Sequence, residues 1–152
     1  MKRAPRSPRS LRPRLSVTDR ARSGCDRAFL GRVVAATLAF AERPELAVSL
    51  LLTDDAEIAA IHEEYLDDPT PTDVISFALG DDAELVVSVE TARRLAKQHG
   101  HTPRAEIALY VVHGLLHCCG FDDLTVRERR RMRAAEHEVM RRLRLRVRHV
   151  DA

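Results

Sequence analysis

Tryptophan is absent from this 152-residue chain, and its aromatics amount to four Phe and two Tyr. Any core must therefore be aliphatic, and stacking of bases on aromatic platforms is excluded as the main way of holding a nucleic acid. Cysteine is equally sparse. Cys118 and Cys119 are adjacent and Cys25 is far away, which gives neither a disulfide framework nor a paired C-x-x-C zinc arrangement; all three read as small buried hydrophobes. No apolar run is long enough to span a membrane, and no apolar stretch of about 7 to 15 residues follows the basic start, so neither a span nor a secretory signal is expected. The cytoplasm is the expected location.

What remains is a chain of one domain's length with 45% apolar residues, enough to bury a core. Its net charge of +2 conceals a segregation. Residues 1–22 hold eight Lys or Arg against Asp19, and residues 127–148 hold ten Arg against three Glu, while the part between has seven basic and eighteen acidic residues. A phosphate-bearing partner would be met by the ends or by the small cluster Arg93, Arg94, Lys97 and Arg104. Residues 1–10 mix Arg, Pro and Ser with too little apolar content to offset the cost of ordering, and are expected to be a disordered basic tail. Residues 11–148 form the expected single domain, and 149–152 a second tail.

Along the chain, Leu15 and Val17 alternate weakly, as in an edge strand. Asp26 caps an expected helix whose apolar face runs through Phe29, Leu30, Val33, Val34, Thr37, Leu38 and Ala41. Residues 46–52 read as a strand, and Thr53 or Asp54 caps a helix through Tyr65. Two prolines make 67–73 a loop. Residues 74–77 and 84–89 form a hairpin around Gly80, and a helix over 90–98 closes at Gly100. Thr102 and Pro103 then open the next helix, and Thr125 caps the last, whose apolar face is Met132, Ala135, Val139, Met140 and Leu143. The alternation over 143–148 fits either an unwinding helix end or a strand-like tail. The expected fold is α+β: one small mixed sheet of three or four strands, packed with helices, one of them central.

That central helix carries the chemistry. In the stretch 113–123, HGLLHCCGFDD, His113 and His117 are one turn apart on one face, close enough to grip one ion. Gly120 ends the helix, and the reversed chain returns Asp123 towards the pair. Two imidazoles and a carboxylate leave one tetrahedral position open, the mark of a catalytic zinc site. Glu106 and Tyr110 share the histidine face to within roughly 60°. Glu106 reads as the partner orienting a ligating imidazole, Tyr110 as core, and Asp122 as a shaper of the turn. His62, His99, His137 and His149 are expected at the surface, and His101 shortly before the helix.

This stretch closely resembles the signature H-G-x-L-H-x-x-G-[YF]-D-H of the YbeY family of bacterial single-strand endoribonucleases, and residues 71–77, PTDVISF, resemble that family's P-T-D-V-[LI]-S-F segment. The resemblance runs from about Leu46 to Leu143. It implies a zincin-like arrangement with one Zn2+ per chain held by His113, His117 and Asp123, cleavage of single-stranded and ribosomal RNA in rRNA maturation and ribosome quality control, and the ribosome or assembly factors as partners. Three positions depart from the pattern. Asp123 stands where the third ligand is usually histidine, Leu66 follows Tyr65 where arginine is frequent, and His62 replaces a common asparagine. A carboxylate is an accepted zinc ligand, whereas the phosphate contact of that arginine has no counterpart here.

Two rivals stand beside this expectation. The spacing H-x-x-x-H-x-x-G-x-x-D also fits a metzincin-like peptidase, but those enzymes need glutamate directly after the first histidine as general base, and here that residue is Gly114. A non-catalytic ribosome assembly factor with a structural metal would need a fourth protein ligand, such as a cysteine.

Overall fold

The computed structural model describes residues 14–147. The two expected tails, His149 among them, lie outside the described residues. Four strands, β1 (Leu15–Asp19), β2 (Ala47–Thr53), β3 (Val74–Leu79) and β4 (Asp82–Ser88), form one mixed sheet in the order β1-β2-β4-β3. The pairs β1·β2 and β2·β4 are parallel, and β3·β4 is the antiparallel hairpin read from the sequence. β1 is an edge strand, as its short alternation suggested.

Five helices surround the sheet: α1 (Arg27–Phe40), α2 (Asp55–Leu66), α3 (Val89–His99), α4 (Pro103–Cys118) and α5 (Val126–Arg142). Each starts where a short polar side chain takes up a free N–H of the first turn. Asp26, Asp54, Ser88, Thr102 and Thr125 accept from the amides of Phe29, Glu57, Thr91, Ala105 and Glu128 respectively. The period-2 alternation of the strands divides the sheet into two faces. Val48, Leu50, Leu52, Leu85 and Val87 join α1, α4 and α5 in the main core, whereas Val86 and Ile75 meet Ile58 of α2 on the other side.

α4 is buried nearly all round and packs on α1, α3, α5, β3 and β4. It stops in the way its sequence demands. Gly120 takes φ +96°, and the Phe121 and Gly120 amides donate to the carbonyls of Leu116 (3.0 Å) and His117 (3.1 Å), the two bonds of a Schellman turn. After α5, Arg144 adopts φ +57° and the Leu145 amide donates to the Met140 carbonyl, so residues 143–147 close the helix and form no strand.

The contact of α4 with the hairpin is unusually close at Gly114. A Cβ there would lie 2.8 Å from Leu85 Cδ2 and 3.2 Å from Val74 Cγ2. Leu85 is 1% exposed, so it could yield only by shifting within the core. We expect Gly114→Val to destabilise the protein by about 1–3 kcal/mol through overpacking, lowering Tm by about 2–4 °C per kcal/mol. An unchanged Tm in thermal unfolding would show that helix and sheet are not in tight contact here.

Candidate metal centre

α4 presents His113 and His117 in succession, their rings 4.6 Å apart and nearly perpendicular at 82°. The two Nε2 atoms are 3.1 Å apart. The Schellman reversal then swings the chain back, so that Asp123 Oδ2 lies 3.3 Å from His117 Nε2 and 3.8 Å from His113 Nε2. Donors around one tetrahedral ion at about 2.0–2.2 Å stand about 3.3–3.6 Å apart, and the three separations bracket that edge. The donor set therefore fits a zinc-class ion. Asp122 is exposed and outside the cluster.

Two of the three donors are held from behind. Glu136 of α5, 6% exposed, accepts a hydrogen bond from His113 Nδ1. A carboxylate only accepts, so in the neutral ring the proton sits on Nδ1 and the lone pair of Nε2 faces His117 and Asp123. Burial disfavours the charged imidazole, but the Glu136 carboxylate, with Asp73 and Asp123, outweighs it and raises the His113 pKa above its ordinary value. Arg129 steadies the loop that carries Asp123 by donating to the carbonyls of Asp123 (3.4 Å) and Leu124 (3.1 Å).

The segment 72–76 faces these histidines. Thr72, Asp73, Val74 and Ser76 line a cavity of about 270 Å³ together with His62, Leu66, His113, Gly114 and His117. Asp73 is fixed by the Val74 amide at 2.7 Å and by its own carbonyl, which accepts from Ser88. Two stretches forty residues apart thus share one cavity, which Asp73 lines together with His113 and His117.

Several expectations need correction. Glu106 orients neither His113 nor His117. It sits in the first turn of α4, about 10 Å along the axis from His113 at 1.5 Å per residue, and its carboxylate faces His101 and His99. His62 is not an open surface residue; its side chain is 16% exposed, its Nδ1 lies 2.9 Å from the Thr70 carbonyl, and its ring lines the cavity. Arg93, Arg94 and Lys97, expected as phosphate contacts on the surface, lie outside the cavity lining. Arg93 donates to the Arg22 carbonyl and Arg94 pairs with Asp55, which leaves exposed Lys97 with the least committed charge of the three.

Tyr110 is core as expected, its hydroxyl pushed upward by burial and by Glu106. Cys25 is buried, and Cys118 and Cys119 are half-buried against the core; burial pushes the Cys118 thiol up to about 11. No cysteine joins a donor cluster among the described residues. The residue that sequence reasoning missed is Glu136. Its signal was present: it falls on the apolar face of α5, four residues after Met132 and three before Val139, where an unexplained carboxylate needs a buried partner.

The family model described as Endoribonuclease YbeY matches residues 22–144. The chain belongs to the YbeY family. Relatives named Endoribonuclease YbeY include one from Pelotomaculum thermopropionicum, 40% identical over 113 residues, covering 66% of this chain and 74% of that one. Another, from Heliobacterium modesticaldum, is 38% identical over 112 residues, covering 62% and 68%. A solution structure of a Thermotoga maritima protein shares the fold, with a TM-score of 0.59 at 20% identity over 86% of this chain and 91% of that one.

From this geometry, His113→Ala or His117→Ala should lose a tightly held divalent ion, Asp123→Ala should weaken its retention and Asp123→His preserve it, and Asp122→Ala should change nothing. Glu136→Ala should lower affinity by about 10- to 100-fold. Metal content after purification, followed by competition with a chelator, checks each; a His117→Ala protein that holds as many equivalents as the wild type would remove the centre as described.

Proposed function

We propose that this chain is a zinc-dependent, single-strand-specific endoribonuclease of ribosomal RNA maturation, acting at the 3′ end of the small-subunit rRNA and in ribosome quality control. Its place is the cytoplasm, its partners single-stranded RNA and the ribosome or assembly factors. Residues 11–148 are the catalytic domain, and His113, His117 and Asp123 hold one catalytic Zn2+ in a zincin-like arrangement. The observation that carries this reading is the convergence of the two family-like segments on one cavity lined by His113 and His117, with Asp123 beside them, 3.3 Å from His117 Nε2.

A bound zinc ion would supply a water acidic enough to yield hydroxide near neutral pH and would polarise a phosphoryl oxygen. The chain's own residues do the rest. Glu136 keeps the Nε2 lone pair of His113 available, and Arg129 keeps Asp123 in place. Asp73 lines the same cavity as His113 and His117, and its negative charge is felt by the His113 imidazole. Arg93, Arg94 and Lys97, with the arginine-rich start of α5, are the phosphate contacts in this reading.

Packing disfavours the peptidase alternative. A glutamate after His113 would have to begin with a Cβ only 2.8 Å from Leu85, so no general base fits there. The structural-metal alternative has less support, because among the described residues this cluster has three donors and no thiol, and so leaves a position open for water or substrate.

The same preparation should cleave single-stranded RNA and leave an unfolded protein substrate intact, and His117→Ala should abolish the cleavage. RNA binding should fall linearly on a log scale with salt, by a slope of about 0.7 per phosphate contact for single strands. Removing Arg93, Arg94 and Lys97 should shallow that slope without removing metal. RNA cleavage undiminished in His117→Ala, or zinc-dependent proteolysis in its place, would overturn the assignment.

A further inference from the structure

A second group of donors lies at the other end of α4. His99 is the last residue of α3, Gly100 turns the chain at φ +73°, and the His101 amide donates to the Ala96 carbonyl at 2.8 Å, which fixes where His101 points. Thr102 caps α4, and Glu106 follows in its first turn. The Glu106 carboxylate divides its oxygens between the two rings: Oε2 is 2.8 Å from His101 Nδ1 and Oε1 is 3.8 Å from His99 Nδ1. The rings are 5.7 Å apart at 63°, and the three residues offer donor atoms within 4.8 Å of one another.

We propose that His99, His101 and Glu106 form a second metal site, which takes a zinc-class divalent ion and clasps the end of α3 to the start of α4. The side chains of Glu106 and His101 are both 2% exposed. A carboxylate so deeply buried is costly unless its charge is balanced. One imidazole N–H at 2.8 Å answers one oxygen, while the 3.8 Å gap to His99 is too long for a hydrogen bond and close to the spacing of two ligands on one ion, which is about 3.3–3.6 Å. A dication held by two neutral imidazoles and this carboxylate more than offsets the buried negative charge and leaves a single net positive one. One turn further on, Tyr110 is buried with its hydroxyl unpartnered among the described residues, and the Glu106 carboxylate acts on it. Two nitrogens and an oxygen suit Zn2+, Co2+ or Ni2+ better than the hard oxygen-seeking ions. His99, 29% exposed, is the side from which the ion enters.

The site does not depend on the activity proposed above, and its test does not use it. Co2+ is added to metal-free protein and followed by dialysis and visible absorption. The wild type should bind two equivalents, and His117→Ala one, at the second site. His99→Ala should also bind one, at the first centre, and the double variant none. Glu106→Gln, which preserves shape and hydrogen bonding, should lose the same equivalent as His99→Ala. In the His117→Ala background, Zn2+ should raise Tm, and adding His99→Ala should abolish that rise. A wild type that saturates at one equivalent, or a His99→Ala protein that still binds two, would reduce the corner to a hydrogen-bonded His101–Glu106 pair and overturn the proposal.

Discussion

The close approach of α4 to the β3–β4 hairpin at Gly114 is the constraint on which the rest of the molecule depends. With no side chain at that position, the helix backbone settles against Leu85 and Val74. This brings the rings on either side of it, His113 and His117, to the wall formed by Thr72, Asp73, Val74 and Ser76. A residue larger than glycine would lift the helix and widen the cavity in the same movement. The glycine also decides chemistry by exclusion, because the position next to the first histidine has room for packing and none for a base.

α4 carries ionisable groups at both ends, and each is balanced by a neighbour from another part of the chain. At the C-terminal end the imidazole of His113 belongs to α4 and the carboxylate, Glu136, arrives from α5. At the N-terminal end the carboxylate, Glu106, belongs to α4 and the imidazoles come from α3 and the turn after it. Between them the helix is mostly apolar and, apart from half-buried Leu109, buried. Such a helix cannot slide or rotate without breaking a buried charged contact at one end or the other, and that fixes the direction of the ligands more firmly than aliphatic packing would.

Local features of this fold were legible in the sequence because their causes are local. Asp26, Thr102, Pro103, Gly100 and Gly120 act within four residues of themselves, so the limits of α1, α3 and α4 could be read from them directly. The His113–His117 spacing was readable for the same reason, since helical periodicity alone puts both rings on one face. Glu106 was misjudged because sharing a helix face says nothing of axial distance, and seven residues put it two turns from the ring it was expected to orient. Glu136, Asp73 and His62 come to the histidines through tertiary packing of α5, β3 and α2. Their roles followed only once the sheet order was known.

Asp123 in place of an imidazole changes the electrostatics of the centre. A divalent ion with one carboxylate ligand retains a single net positive charge, and Asp73 in the cavity wall and Glu136 behind His113 bring two negative charges close to it. The centre by itself therefore offers little attraction to a phosphodiester. The compensation lies next to it in sequence: α5 opens with Arg127, Arg129, Arg130 and Arg131, and Arg129 is tied to the backbone of the very loop that carries Asp123. In the endoribonuclease reading, capture and cleavage are thus separated, with an arginine-rich helix gathering the backbone and a centre of low, slightly negative local charge acting on it. A centre that holds its anion weakly also releases a cleaved end easily, and specificity then rests on what the arginines and the cavity rim admit.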